Sequence, residues 1–207
     1  MEIVSIIKEL KLKFNDYVKS FLTNFESNRN LSKEDKFLEL CFCILVANYS
    51  MERTLKIWEN IGKDFLKLSK KELSSKLKKL GYRFYNKRAE YIVEARRKVN
   101  LLEEILKLEN ELLIRERLVG NFKGIGWKEA SHFLRNLGYK NIAIIDRHVL
   151  KALKEFKIID GIPKSLNRNF YIKIESKLRE LANKLNISLA ELDFYLFYIS
   201  SGKFPIK

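Results

Sequence analysis

Residues 118–130 read Leu118-Val-Gly-Asn-Phe-Lys-Gly-Ile-Gly-Trp-Lys-Glu-Ala130. Charged and apolar residues recur at helical period on both sides, so a helix precedes this stretch and another follows it. Between them lies Lys123-Gly124-Ile125-Gly126. Two glycines one residue apart allow a tight hairpin with backbone angles that other residues resist. Ile125, between them, is placed to anchor the turn in a core. The second helix opens at once, so its first N–H groups lack intrahelical partners and form a ready seat for a phosphate oxygen. A helix–hairpin–helix of this type grips one nucleic-acid strand by its backbone and reads no bases. A plain helix-to-helix turn with glycine caps is the other reading, and the two glycines alone do not separate them.

The neighbours of the hairpin favour the first. Lys123 and Lys128 flank it, and the next short loop ends in Ile144-Ile145-Asp146-Arg147-His148-Val149. Asp146 sits where a helix should begin, which gives it at least an N-cap role. Lys128 falls in the first turn of its helix, where the dipole disfavours a cation by roughly 0.3–1 kcal/mol. That is mildly odd for a purely structural lysine. A lysine nucleophile must be neutral, which requires its pKa to fall from about 10.4 to roughly 7–8, on the order of 4 kcal/mol. The dipole is too weak to do this, so burial or nearby cations must supply the rest. A direct Lys128–Asp146 ion pair would favour the charged amine. Asp146 is therefore expected to act elsewhere, on positive charge developing in a sugar or in a proton relay.

Working outward, the whole chain reads as all-α. It has 8 glycines and 2 prolines in 207 residues, and no stretch alternates at period two. Helices are expected near 2–26, 33–49, 51–61, 71–80, 86–107, 109–119, 127–137, 147–156, 165–185 and 189–201. Ser32 with Asp35 resembles a capping box, and Ser188 with Glu191 has the full pattern, with Ile187 and Leu192 spaced as a hydrophobic staple. No repeat or low-complexity linker is present. The expected organisation is two helical lobes with a DNA-binding cleft between them. Residues 33–120 form a central lobe, and 1–32 plus 121–207 form a second lobe carrying the hairpin and the Lys128–Asp146 pair.

Composition bounds the partners. Lys and Arg total 41 against 26 Asp and Glu, a net charge of +15. Such a balance points to a polyanion, most often nucleic acid. No apolar run approaches the roughly 20 residues that span a membrane, and the charged N-terminus is unlike a signal peptide. Cys41 and Cys43 lie in the apolar run 37–47. Two residues apart on a helix they face different ways, so they read as buried thiols in a reducing cytoplasm. Two cysteines and two distant histidines supply no metal spacing, and no cofactor is implied. Gln is absent while Lys, Ile and Asn are plentiful, a bias that either a thermophile or an AT-rich genome produces.

The Gly-Ile-Gly-Trp-Lys hairpin, followed 18 residues after its lysine by the Asp of Ile145-Asp-Arg-His-Val149, resembles the helix–hairpin–helix DNA glycosylase superfamily. Phe122 stands where that signature usually has leucine. The lysine is the mark of the branch that is both glycosylase and lyase. Upstream, Gly81-Tyr-Arg-Phe-Tyr-Asn-Lys-Arg-Ala-Glu-Tyr-Ile92 is similar to an element of the 8-oxoguanine DNA glycosylases, above all the short archaeal type. The likeness spans about residues 30–207. The iron–sulfur cysteines of the endonuclease-III and adenine-glycosylase relatives are missing, which argues against both.

The resemblance implies an enzyme that excises 8-oxoguanine from double-stranded DNA and then cuts the strand, with no cofactor, as a cytoplasmic monomer. Lys128 would be the nucleophile and Asp146 its carboxylate partner. Lys123, Gly124, Gly126, His148 and Arg83 would hold DNA. The flipped base would enter a pocket drawn from Phe84, Asp193, Phe197 and the C-terminal Lys207. Asp193 and Phe197 are four apart and share a helix face. Tyr82 and Phe84 could line that pocket or wedge beside the opposite base. His132, one turn beyond Lys128, matches no motif and reads as a packing or surface histidine. Two further readings are the same fold acting on another damaged base, and a DNA-binding module without chemistry.

Overall fold

Short polar side chains mark most of the helix starts. In the computed structural model, which describes residues 2–163, 165–205 and 207, the first helix, α1 (Ile3–Ser27), opens without a side-chain cap. Ser32 and Ser50 then cap α2 (Lys33–Val46) and α3 (Met51–Ile61). Ser69 caps α4 (Lys70–Lys79) with a complete capping box to Glu72. The hydrophobic faces of α5 (Tyr85–Arg96) and α6 (Val99–Leu106) follow. Asn110 caps α7 (Glu111–Asn121), and α8 (Trp127–Asn136) opens after the hairpin. Asp146, Asn167 and Ser188 cap α9 (Arg147–Glu155), α10 (Arg168–Leu185) and α11 (Leu189–Ser201). Short 3-10 turns occupy Asn28–Asn30 and Gly62–Leu66. No strand occurs among the described residues, so the all-α expectation holds.

Three local expectations differ from the structure. The helix expected over 86–107 is two helices, broken at Arg97 and Lys98. Buried Ala89, Ile92 and Ala95 are followed by buried Leu102 and Ile105, and Ala95 and Leu102, seven apart, keep helical spacing across the break. Periodicity could not reveal it, and neither glycine nor proline marks it. Helix α10 starts at Arg168 rather than 165 because Asn167 accepts the N–H of Phe170. At α11 only half of the expected box forms. The Ser188 hydroxyl accepts the Glu191 N–H at 3.0 Å, but the Glu191 carboxylate turns to Lys11 at 3.9 Å and to the Tyr195 hydroxyl.

The described residues divide into two units. The central unit comprises residues 30–133 with Lys207. Its axis is α2, whose Phe37 and Leu40 through Leu45 are all fully buried, with α3, α5 and α6 packed around it and α4 lying on α5. Cys41 and Cys43 are free thiols in this core. The other unit comprises residues 2–29 and 134–205. There α11 packs on α9, α1 and α10. Gly138, at φ +79°, comes so close to the α1 backbone that a methyl would sit 2.6 Å from Glu26 Cα. The buried Arg135 guanidinium lies over Phe25 and Phe194 at 4.6 and 5.4 Å. The division at 133/134 falls inside α8, so the hairpin belongs with the central unit. The boundaries expected from sequence, at 33 and 120, put the hairpin in the other lobe. The hairpin's packing partners come from α5.

Candidate functional site

Phe122 is the C-cap of α7, and its N–H still donates to Leu118 O at 3.1 Å. Ile125 turns back to donate to Phe122 O at 3.2 Å, and both side chains are buried. Gly124 makes the turn at φ +84°. A methyl there would lie 2.5 Å from a ring carbon of Tyr91 and 3.0 Å from the Arg88 guanidinium. Gly126 is different. Its φ is not positive, and a methyl would meet only the flexible end of Glu129. Ala130 N–H donates to Gly126 O at 2.9 Å, closing the first turn of α8 around Lys128. Lys128 is half-buried at this N-terminus.

Tyr91 and Arg88 belong to the Gly81–Ile92 element, so the two motifs singled out in the sequence pack on each other inside one unit. Gly81 takes φ +74°. Tyr82 is core, not pocket: it is 1% exposed, and its hydroxyl donates to Leu45 O at 2.6 Å. Burial pushes its phenol up to about 12. Arg83 is exposed, with its guanidinium 4.4 Å from the Phe84 ring. Phe84 is half-buried at the start of α5. Lys123 is exposed and pairs with Glu94 at 3.0 Å.

Lys207 also lies in the central unit. Its ammonium pairs with Glu39 at 2.6 Å and sits 4.2 Å from the Trp58 ring and 5.2 Å from Phe42. Its main-chain oxygen is 3.3 Å from Nε2 of His132, which is fully buried edge-on to Phe42. Burial pushes the Cys43 thiol up, against the opposing fields of Lys128 and Lys207. Both lysine charges therefore act on one thiol of the α2 core. Glu39, Phe42, Trp58 and His132 were not singled out for this site. A signal was available for Glu39, an acidic residue interrupting the apolar run 37–47. None was available for Trp58, whose helical spacing is that of any packed residue.

The other unit holds Asp146, His148, Asp193 and Phe197. Asp146 caps α9, with Oδ1 accepting the Val149 N–H at 2.9 Å, which fixes the direction of its carboxylate. His148 is exposed, its ring 4.8 Å from Phe197 and its Nδ1 3.3 Å from the Ser200 hydroxyl. Phe197 is half-exposed, whereas Asp193, one turn earlier, is buried. Asp193 borders a cavity of about 10 Å³ walled by Ile144, Val149, Leu189 and Leu196. Among the described residues no cluster of three or more His, Cys, Asp or Glu could hold a metal, and no helix is long and apolar enough to cross a membrane.

Comparison with known proteins converges on one family. The profile of the 8-oxoguanine DNA glycosylase family (Ogg-HhH) matches residues 18–187. The 8-oxoguanine DNA glycosylase/AP lyase of Methanocaldococcus jannaschii is 50% identical over 204 residues, 98% of this chain and 99% of its own length. That of Korarchaeum cryptofilum is 46% identical over 98% of this chain and 97% of its own. The crystal structure of the M. jannaschii glycosylase/lyase with a 15mer DNA containing 8-oxoguanine superposes with a TM-score of 0.96 at 49% identity, covering both chains in full. The 8-oxoguanine DNA glycosylase of Thermotoga maritima superposes with a TM-score of 0.92 at 38% identity, covering 98% of each chain.

Proposed function

The chain belongs to the helix–hairpin–helix family of 8-oxoguanine DNA glycosylases, and we propose that it excises 8-oxoguanine from double-stranded DNA and cleaves the strand at the resulting site. The observation that carries this reading is the hairpin. Gly124, held at a left-handed φ against Tyr91, delivers Lys128 to the first turn of α8.

Each residue then has a task. Lys123, Arg83, His148 and the amides around Gly124 and Gly126 take phosphates of the strand. Lys128 Nζ attacks C1′ of the damaged nucleotide as the glycosidic bond breaks, and the base leaves with the bonding electrons and a proton. The sugar ring opens to a Schiff base between C1′ and Nζ. Loss of a proton from C2′ then expels the phosphate on the 3′ side, completing β-elimination. Asp146, aimed by its bond to Val149, stabilises the positive charge that develops on the sugar and passes protons. Asp146 needs no ion pair with Lys128 for this. For the flipped base, Phe84 and Lys207 are the candidate contacts in the central unit, and Asp193 and Phe197 those in the other. The Lys207 ammonium, set over Trp58 and paired with Glu39, offers that base a charged hydrogen-bond donor. The work is done in the cytoplasm, with no cofactor.

Borohydride trapping tests this. A duplex with one 8-oxoguanine should give a covalent adduct with the wild-type protein and none with Lys128→Gln, whose excision rate should fall at least about 10³-fold. Absence of a wild-type adduct with any oxidised or alkylated base would overturn the assignment.

A further inference from the structure

We infer that Arg115 is a positioning residue for Lys128, a clamp that sets the direction in which the nucleophile leaves α8. Arg115 lies on α7, before the hairpin, and its side chain is only 1% exposed. Burying a guanidinium is costly unless it is paired, and an apolar residue of similar volume usually serves stability as well or better. A reason for arginine here is to be found in what its guanidinium touches.

Its contacts supply one. The guanidinium carbon lies 4.9 Å from the ring of Trp127. Nη1 donates to the Ser131 hydroxyl at 3.2 Å, and that hydroxyl donates in turn to Trp127 O at 2.9 Å. Trp127 immediately precedes Lys128, and Ser131 stands three residues beyond it. One planar group thus holds both residues that bracket the nucleophile, from the helix on the other side of the hairpin. With Trp127 stacked and Ser131 bonded, the first turn of α8 cannot rotate about its axis, so the Lys128 stem keeps one direction. A displacement of about 1 Å in a reacting group costs on the order of 100-fold in rate. Lysine could not replace arginine, because a point ammonium lacks both the stacking face and the fork.

The inference rests on Lys128 being the nucleophile, so the experiment carries its own control. Wild type, Lys128→Gln, Arg115→Met, Arg115→Lys and Ser131→Ala are compared in single-turnover excision on the 8-oxoguanine duplex. Affinity is measured on undamaged duplex, and folding by thermal denaturation. Arg115→Met, folded, should lose roughly 30–100-fold in the chemical step while binding within about threefold of wild type, and Arg115→Lys should not rescue it. A folded Arg115→Met within about threefold of wild type in rate overturns the inference. So does a rate loss matched by an equal loss of affinity, which marks a structural role only. Where Arg115→Met does not fold, Ser131→Ala decides. A fall of about five- to tenfold in rate with affinity kept supports the clamp, and any smaller fall overturns it. A wild type that forms no adduct sinks the proposed function and the clamp with it; a normal adduct with an unaltered Arg115→Met sinks the clamp alone.

Discussion

At Gly124 and Gly126, two residues of one short motif carry different burdens. Gly124 stands at φ +84° with the Tyr91 ring where a side chain would be. Gly126 has an ordinary φ and open space except for the end of Glu129. Gly124→Ala should therefore cost about 2–5 kcal/mol, combining left-handed strain of roughly 1–2 with overpacking of roughly 1–3. Gly126→Ala should cost under about 1 kcal/mol. Denaturant midpoints of the two variants check this, and equal losses would contradict the geometry. The sequence makes the two glycines look equivalent, because the spacing Gly-x-Gly says only that a hairpin is possible. The Tyr91 ring that separates them comes from a helix more than thirty residues away.

At the scale of elements, the start of α11 shows local pattern yielding to tertiary surroundings. Ser188 caps the helix as its sequence demands, but Glu191 leaves the box for Lys11 and Tyr195. Burial raises the Glu191 carboxyl above its usual range, outweighing Lys11, Lys19 and Lys140, which lower it. Because the folded pKa lies above the unfolded one, folding favours the neutral acid. That contribution is fully present below the unfolded value near 4.3 and is lost as pH rises through the folded value. Glu191→Gln, which keeps the shape without the charge, should therefore match wild type in melting temperature at pH 4 and equal or exceed it at pH 7. A variant less stable than wild type at pH 7 but not at pH 4 would reverse the sign. The broken helix at Arg97–Lys98 teaches the same lesson. Its rhythm is continuous, and what ends α5 is tertiary: the Arg96 guanidinium donates to Phe65 O and Leu68 O, and Lys98 Nζ to Asn121 O.

For the whole molecule, the net charge of +15 is an electrostatic statement about association. Affinity for undamaged duplex should fall on the order of 100-fold between 50 and 200 mM salt if about four phosphates are neutralised. Fluorescence anisotropy across that range reads the slope, and a flat response would remove the basic surface from the DNA interface. Charge is a property of composition, and composition announced it without a fold. The helical class, the hairpin, the thiols buried on α2 and the family were equally legible. Each rests on short-range rules: the period of a helix, the backbone freedom of glycine, the residue types a cap accepts. What the tertiary structure alone decided is which distant side chains meet. It seats the Lys207 ammonium between Glu39 and Trp58, buries Tyr82 against Leu45, and stacks Arg115 on Trp127. Helical spacing tells which residues share a face but not what packs against it. That partner is selected by close packing among all the helices at once, and no window of the sequence contains them all.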